Sequence, residues 1–131
     1  MTTRASGTFE VSSFDEETTE EFGGGLKLTR ARIVQKMTGG LDGEMTINYL
    51  MQYRDDATAC FVGFQRFVGR MGDRTGSFVM EATGGYDGTS ARTTSFVVSG
   101  SGSGDLDRIS GAGTTAAPHG STGTYTFDFD A

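Results

Sequence analysis

At 131 residues the chain is long enough for one core and too short for two, so a single domain over residues 1–131 is expected, with no accessory module. Seventeen acidic residues against eleven basic ones give a net charge of −6, which argues against nucleic acid or an anionic membrane as the main partner, because both need a basic surface. A single cysteine, Cys60, excludes an internal disulfide and a cysteine-based zinc cluster within one chain, and it reads as a buried apolar thiol rather than a nucleophile.

The N-terminal residues have no apolar core of a signal peptide, and no apolar run approaches the roughly 18 residues of a membrane span, so a cytoplasmic location is expected. Twenty-one glycines, one proline and no tryptophan, set among many Thr, Ser, Phe and Val residues, point to strands joined by tight turns.

In chain order, Ala5 to Phe14 alternates as a first strand, with Phe9 and Val11 on one face and Glu10 on the other. Asp15 to Gly25 holds five acidic residues and ends in three glycines; it reads as a short acidic helix or a solvated loop, and its carboxylates lack the spacing of a calcium loop. Leu26 to Thr38 is β-branched enough to favour a strand, stopped by Gly39-Gly40. Gly43 to Arg54 shows plain period two, with Met45, Ile47, Tyr49, Met51 and Tyr53 sharing a face.

The centre of the chain is Thr58 to Gly84, two Phe- and Val-rich runs about Gly72-Asp73, which reads as a long β-hairpin. In its first run Val62, Arg66 and Arg70 face solvent. That leaves Gln65 as the one polar side chain on an inward face of Phe, Met and Gly, where it needs a hydrogen-bond partner or a ligand.

After a tight turn at Gly84 to Gly88, Thr89 to Ser99 is a strand in which Arg92 shares the face of Phe96 and Val98, so that Arg92 is expected to point inward. Gly100 to Gly104 lacks the residues that follow a phosphate loop and reads as a wide turn. Asp105 to Arg108 reads as one helical turn, Ile109 to Thr115 as a short strand, and Gly123 to Asp130 as a closing strand; His119, after Pro118, sits in an exposed loop. Seven or eight strands in series leave two edges to hide, and closure into an antiparallel barrel of about eight strands removes them. Such an all-β, calycin-like barrel has room for side chains or one small ligand.

Five segments carry a resemblance over nearly the whole chain: SGTFEVSSFDEE at Ser6 to Glu17, YLMQY at Tyr49 to Tyr53, FVGFQR at Phe61 to Arg66, GDRTGSFVMEATG at Gly72 to Gly84, and SGSGSGDLDRISGAG at Ser99 to Gly113. Together they resemble a bacterial family of small uncharacterised β-barrel proteins similar in fold to plant allene oxide cyclase. Phe96 to Gly113 also looks like the late strands of that cyclase, and Phe9-Glu10-Val11-Ser12 is similar to the stretch that gives its cavity a glutamate and an asparagine. Glu10 matches the glutamate and Ser12 replaces the asparagine. The chain departs from the family's pattern at Gln65, where Glu is usual, and at Ala82, where His is common. The resemblance implies a barrel that holds a lipophilic molecule and guides ring closure by cavity shape.

The expected function is therefore a cofactor-independent cyclase or isomerase acting on a polyketide- or fatty-acid-like molecule. Gln65, Tyr49 or Tyr53 would donate a hydrogen bond, Glu10 or Glu81 would act as base, and Phe61, Phe67, Met51, Phe78, Met80 and Arg92 would line the ligand site. The alternatives are a non-catalytic, lipocalin-like carrier and a filled barrel with a structural role, as a homodimer or homotrimer through an outer face. No metal or cofactor is expected.

Overall fold

A computed structural model describes residues 2–118 and 121–131 of the chain, so His119 lies outside the described residues. Among them are nine strands and no helix: β1 (Thr3–Gly23), β2 (Leu26–Gly39), β3 (Asp42–Tyr53), β4 (Ala59–Met71), β5 (Arg74–Tyr86), β6 (Ala91–Val97), β7 (Ser103–Gly104), β8 (Ser110–Ala117) and β9 (Thr122–Asp130). All pairings are antiparallel. Eight strands follow one another around a closed ring, β1 to β6, then β8 and β9, and β9 returns to β1. The ninth, β7, is a two-residue addition to the start of β5.

The central hairpin forms as the alternation predicts, with Gly72 at a φ of 63° in the turn between β4 and β5. Phe61, Gln65, Phe67 and Met71 are buried while Val62, Phe64, Arg66 and Val68 are exposed, so the face assignment of β4 holds. Cys60 belongs to the outer set and is exposed, which corrects the expectation of a buried thiol.

The acidic segment is neither helix nor loop. Asp15 to Gly23 continues β1, because three of its five acids meet a base across the hairpin: Asp15 is opposite Arg32, Glu17 opposite Arg30 and Glu21 opposite Lys27. Opposite charges directly across an antiparallel pair stabilise the pairing, and local composition alone hides them. Asp105 to Arg108 likewise forms a turn without a helix, and its Leu106 is fully buried. The turn expected at Gly84 begins later, since β5 runs on to Tyr86 and the loop is Asp87–Ser90.

The two ends of the barrel differ. At the end bearing the β2–β3 and β4–β5 turns, Leu41, Met71, Leu106 and Ile109 are buried together with Phe67 and Phe78, the last two completely. Phe67 lies 5.4 Å from Phe78, Phe78 stacks on Phe127 at 5.4 Å, and Phe127 stacks on Phe129 at 5.5 Å. Tyr125 fastens this end from β9: its hydroxyl accepts from the Leu41 amide at 2.8 Å and donates to the Thr38 carbonyl at 2.7 Å.

Several glycines lie within strands, where they serve as seats for aromatic rings of the neighbouring strand. A Cβ on Gly63 would fall 2.8 Å from Tyr49 Cδ1, one on Gly84 would fall 2.5 Å from Phe61 Cε1, and one on Gly123 would fall 2.4 Å from Phe9 Cζ. The abundance of glycine thus reflects ring packing as well as turns.

Candidate functional site

The other half of the barrel is not filled. A cavity of about 280 Å³ lies between Phe9, Ile33, Met45, Met51, Phe61 and Met80, and it reaches the surface beside Phe14, Tyr53 and Tyr86. These last three stand at the barrel end that carries the β3–β4, β5–β6 and β8–β9 connections. The period-two pattern of β3 and β4 places Tyr49 and Gln65 inward, and pairing sets Tyr49 opposite Gly63, diagonal to Gln65.

The partner that Gln65 needs is Tyr49: its Nε2 donates to the Tyr49 hydroxyl at 2.7 Å. The Tyr49 ring stacks on Phe61 with centroids 4.7 Å apart. Burial pushes the Tyr49 phenol up from its ordinary pKa, and hydrogen bonds from Gln65 and Thr93 act in the opposite direction. Tyr49 is therefore a neutral phenol at physiological pH, able to donate its O–H but not to act as a base.

Further polar groups line the space, Thr93, Thr114, Thr115 and Thr126 among them. Ser95, buried on β6, contacts Met80 Sδ at 3.4 Å. The Gln35 amide on β2 also faces the cavity and, among the described residues, has no side-chain hydrogen-bond partner.

At the mouth, Glu16 accepts from the Tyr53 hydroxyl at 2.7 Å and from Thr29 Oγ1 at 2.6 Å. Partial burial, then the hydrogen bond to Glu16 and its charge, hold the Tyr53 phenol well above its ordinary pKa, and Lys27 Nζ lies 4.9 Å from the centre of its ring. Across the mouth, Tyr86 donates to the Gly88 carbonyl at 2.8 Å. In the same loop Asp87 accepts from the amides of Ser90 and Thr89, which bring its carboxyl down to about 2.

A folded pKa below the unfolded value contributes stability that is present above about pH 4 and lost as pH falls towards 2. Asp128 is lowered in the same sense by its hydrogen bonds to Arg4, at 2.7 and 3.0 Å. The melting temperature is thus expected to fall between about pH 4 and pH 2, and Asp87→Asn should flatten that fall. Melting curves of both proteins across that range check it, and parallel profiles would refute the Asp87 contribution.

Of the residues selected from sequence, Gln65, Tyr49, Tyr53, Phe61, Met51 and Met80 meet at the cavity. Phe67 and Phe78 belong to the packed end instead, because β4 and β5 carry them past the cavity floor. Glu10, Glu81 and Arg92 point outward. Glu10 follows the buried Phe9, and Glu81 lies between the buried Met80 and Ala82, so alternation sends both carboxylates to solvent.

For Arg92 the expected face is reversed. β6 turns Thr93 and Ser95 inward and leaves Arg92 and Phe96 exposed, Phe96 to 59%. Its one aromatic residue lies on the outer wall, where Phe96, Glu81, Phe64 and Asn48 form one cross-strand row, while Ala91 and Val97 pack inward. Sequence reasoning missed Gln35, although it shares a face with Ile33 and Met37 and the argument used for Gln65 would have found it. Thr93 and Ser95 were hidden by the apolar outer face of their own strand.

Fold and cavity together define a closed eight-stranded antiparallel barrel with an apolar, internally hydrogen-bonded pocket. Residues 5–129 match the family model "Protein of unknown function (DUF3224)", and the chain belongs to that family. It is similar to a solved structure described as a protein with unknown function from the DUF3224 family from Shewanella oneidensis MR-1, with 23% identity, TM-score 0.77, and coverage of 99% of this chain and 98% of that one. At that identity the likeness shows the fold. No curated protein matches the chain.

Proposed function

We propose that the barrel binds a small lipophilic molecule in the cavity beneath Phe14, Tyr53 and Tyr86. The observation that carries this reading is the pairing of an apolar lining of Phe and Met with one oriented polar device, the Tyr49 phenol held by Gln65. Such a combination gives affinity through burial and orientation through a few placed polar groups.

A second reading, cofactor-independent cyclisation or isomerisation, is favoured by the neutral Tyr49 O–H and is what the expected likeness of Phe96 to Gly113 and of Phe9 to Ser12 to allene oxide cyclase would imply. With Glu10 and Glu81 on the outer face, such chemistry would rest on the shape of the cavity and on a hydrogen bond from Tyr49 to an oxygen that gains charge. Native mass spectrometry and organic extraction test for a co-purifying molecule, and titration with the neutral fluorophore N-phenylnaphthylamine tests the cavity itself.

Gln65→Leu is expected to remain folded, losing about 1 kcal/mol of stability with the buried hydrogen bond. Its affinity for an oxygen-bearing ligand should fall about tenfold, since Tyr49 is no longer held in place. A protein that releases no compound and takes up no fluorophore would overturn the proposal.

A further inference from the structure

We infer that the cavity selects an uncharged ligand and receives it with a carbonyl or hydroxyl oxygen at the inner end, next to Tyr49 and Gln35. This rests on the binding reading above and adds the chemical class. The first observation is the lining: among the described residues it includes no Asp, Glu, Lys or Arg, and its polar groups are amides, hydroxyls and phenols. A carboxylate or ammonium carried to that depth would leave water with no counter-charge, a penalty far above what a neutral oxygen meets.

The second observation is independent and lies at the mouth. Asp15, Glu16 and Glu17 follow Phe14 on β1 past the lining, in a chain of net charge −6, so an anion meets repulsion before it meets the cavity. A cation would find Glu16 at the rim, already accepting from Tyr53 and Thr29, and nothing of opposite charge further in.

A neutral oxygen, by contrast, finds ready partners. Gln65 donates into the Tyr49 oxygen, which strengthens the phenol as a donor, and the Gln35 amide, without a side-chain hydrogen-bond partner among the described residues, can donate or accept.

The experiment is displacement of N-phenylnaphthylamine by four molecules with similar chains: methyl octyl ketone, decanol, decanoate and decylamine. At about pH 8, where decanoate is ionised, the ketone and the alcohol should displace the probe about a hundredfold more effectively than decanoate or decylamine. Decanoate should improve as acidification protonates it. Tyr49→Phe should weaken the ketone about tenfold and the fluorophore, which has no oxygen to receive the Tyr49 O–H, much less.

Decanoate or decylamine binding as tightly as the ketone would overturn the inference while the cavity reading survives. Equal weakening of ketone and fluorophore by Tyr49→Phe would overturn the placement of the oxygen. Failure of the fluorophore and all four molecules to bind would overturn the cavity reading itself.

Discussion

Replacing Phe78 with alanine is expected to destabilise the protein by about 4 kcal/mol and to lengthen its cavity. Phe78 is fully buried and stands between Phe67 and Phe127, each with its ring centroid 5.4 Å away, so neither neighbour can close the space without losing its own contacts. The loss combines the transfer of the ring with the hole it leaves. In a domain whose total stability is about 5–15 kcal/mol, the variant keeps its fold in dilute buffer but unfolds at markedly lower urea. Its enlarged cavity should accept ligands a few carbons longer than the natural protein does. Urea titration gives the first quantity and displacement by a chain-length series gives the second. A loss below about 1 kcal/mol would show that the lower half is loosely packed, contrary to the stacked rings described above.

The second large effect is expected at Gly63. An alanine there would place its Cβ 1.9 Å from the Asn48 carbonyl oxygen and 2.8 Å from Tyr49 Cδ1. Gly63 is paired on both sides, with Tyr49 on β3 and Ala82 on β5, so the strand cannot shift away from one neighbour without pressing on the other. Overpacking of this kind costs about 3 kcal/mol, which for a domain of this size lowers the melting temperature by about 10 °C. The substitution also displaces the Tyr49 ring from its seat, so Gly63→Ala should lose ligand affinity more steeply than its melting temperature alone would suggest. A variant that melts like the natural protein would refute the account of interior glycines as ring seats.

How much of this could be read from the chain depends on where apolar alternation coincides with the inside of the barrel. In β3 and β4 it does, and the inward set of Met45, Ile47, Tyr49, Phe61 and Gln65 follows directly. In β6 it does not: the inner side mixes Ala91 and Val97 with Thr93 and Ser95, and the outer side carries Phe96, whose company makes Arg92 read as inward.

The extension of β1 was illegible for a different reason. Its acids are stabilised as strand by Arg32, Arg30 and Lys27, partners that a local window does not see. Alternation also says which residues face in but not how far along the barrel they lie. Phe61 and Phe67 share one face of β4, yet the first borders the cavity and the second fills the packed end. That distinction comes from the stagger of eight strands and from Leu41 and Leu106, which their turns fold inward.

The ring closes where β1 meets β9, Thr3 opposite Phe129 and Glu10 opposite Thr122. These strands are far apart in the chain, so their pairing carries the largest loop-closure entropy in the fold and belongs to the slow, non-local class of contacts. Until β9 docks, the chain is a curled sheet with two open edges, and the ring of Phe9 has no Gly123 to rest against. Tyr125 is likewise not yet in place to tie down the β2–β3 turn. Phe9 is a wall of the cavity, so the cavity and the completed barrel arise in one event.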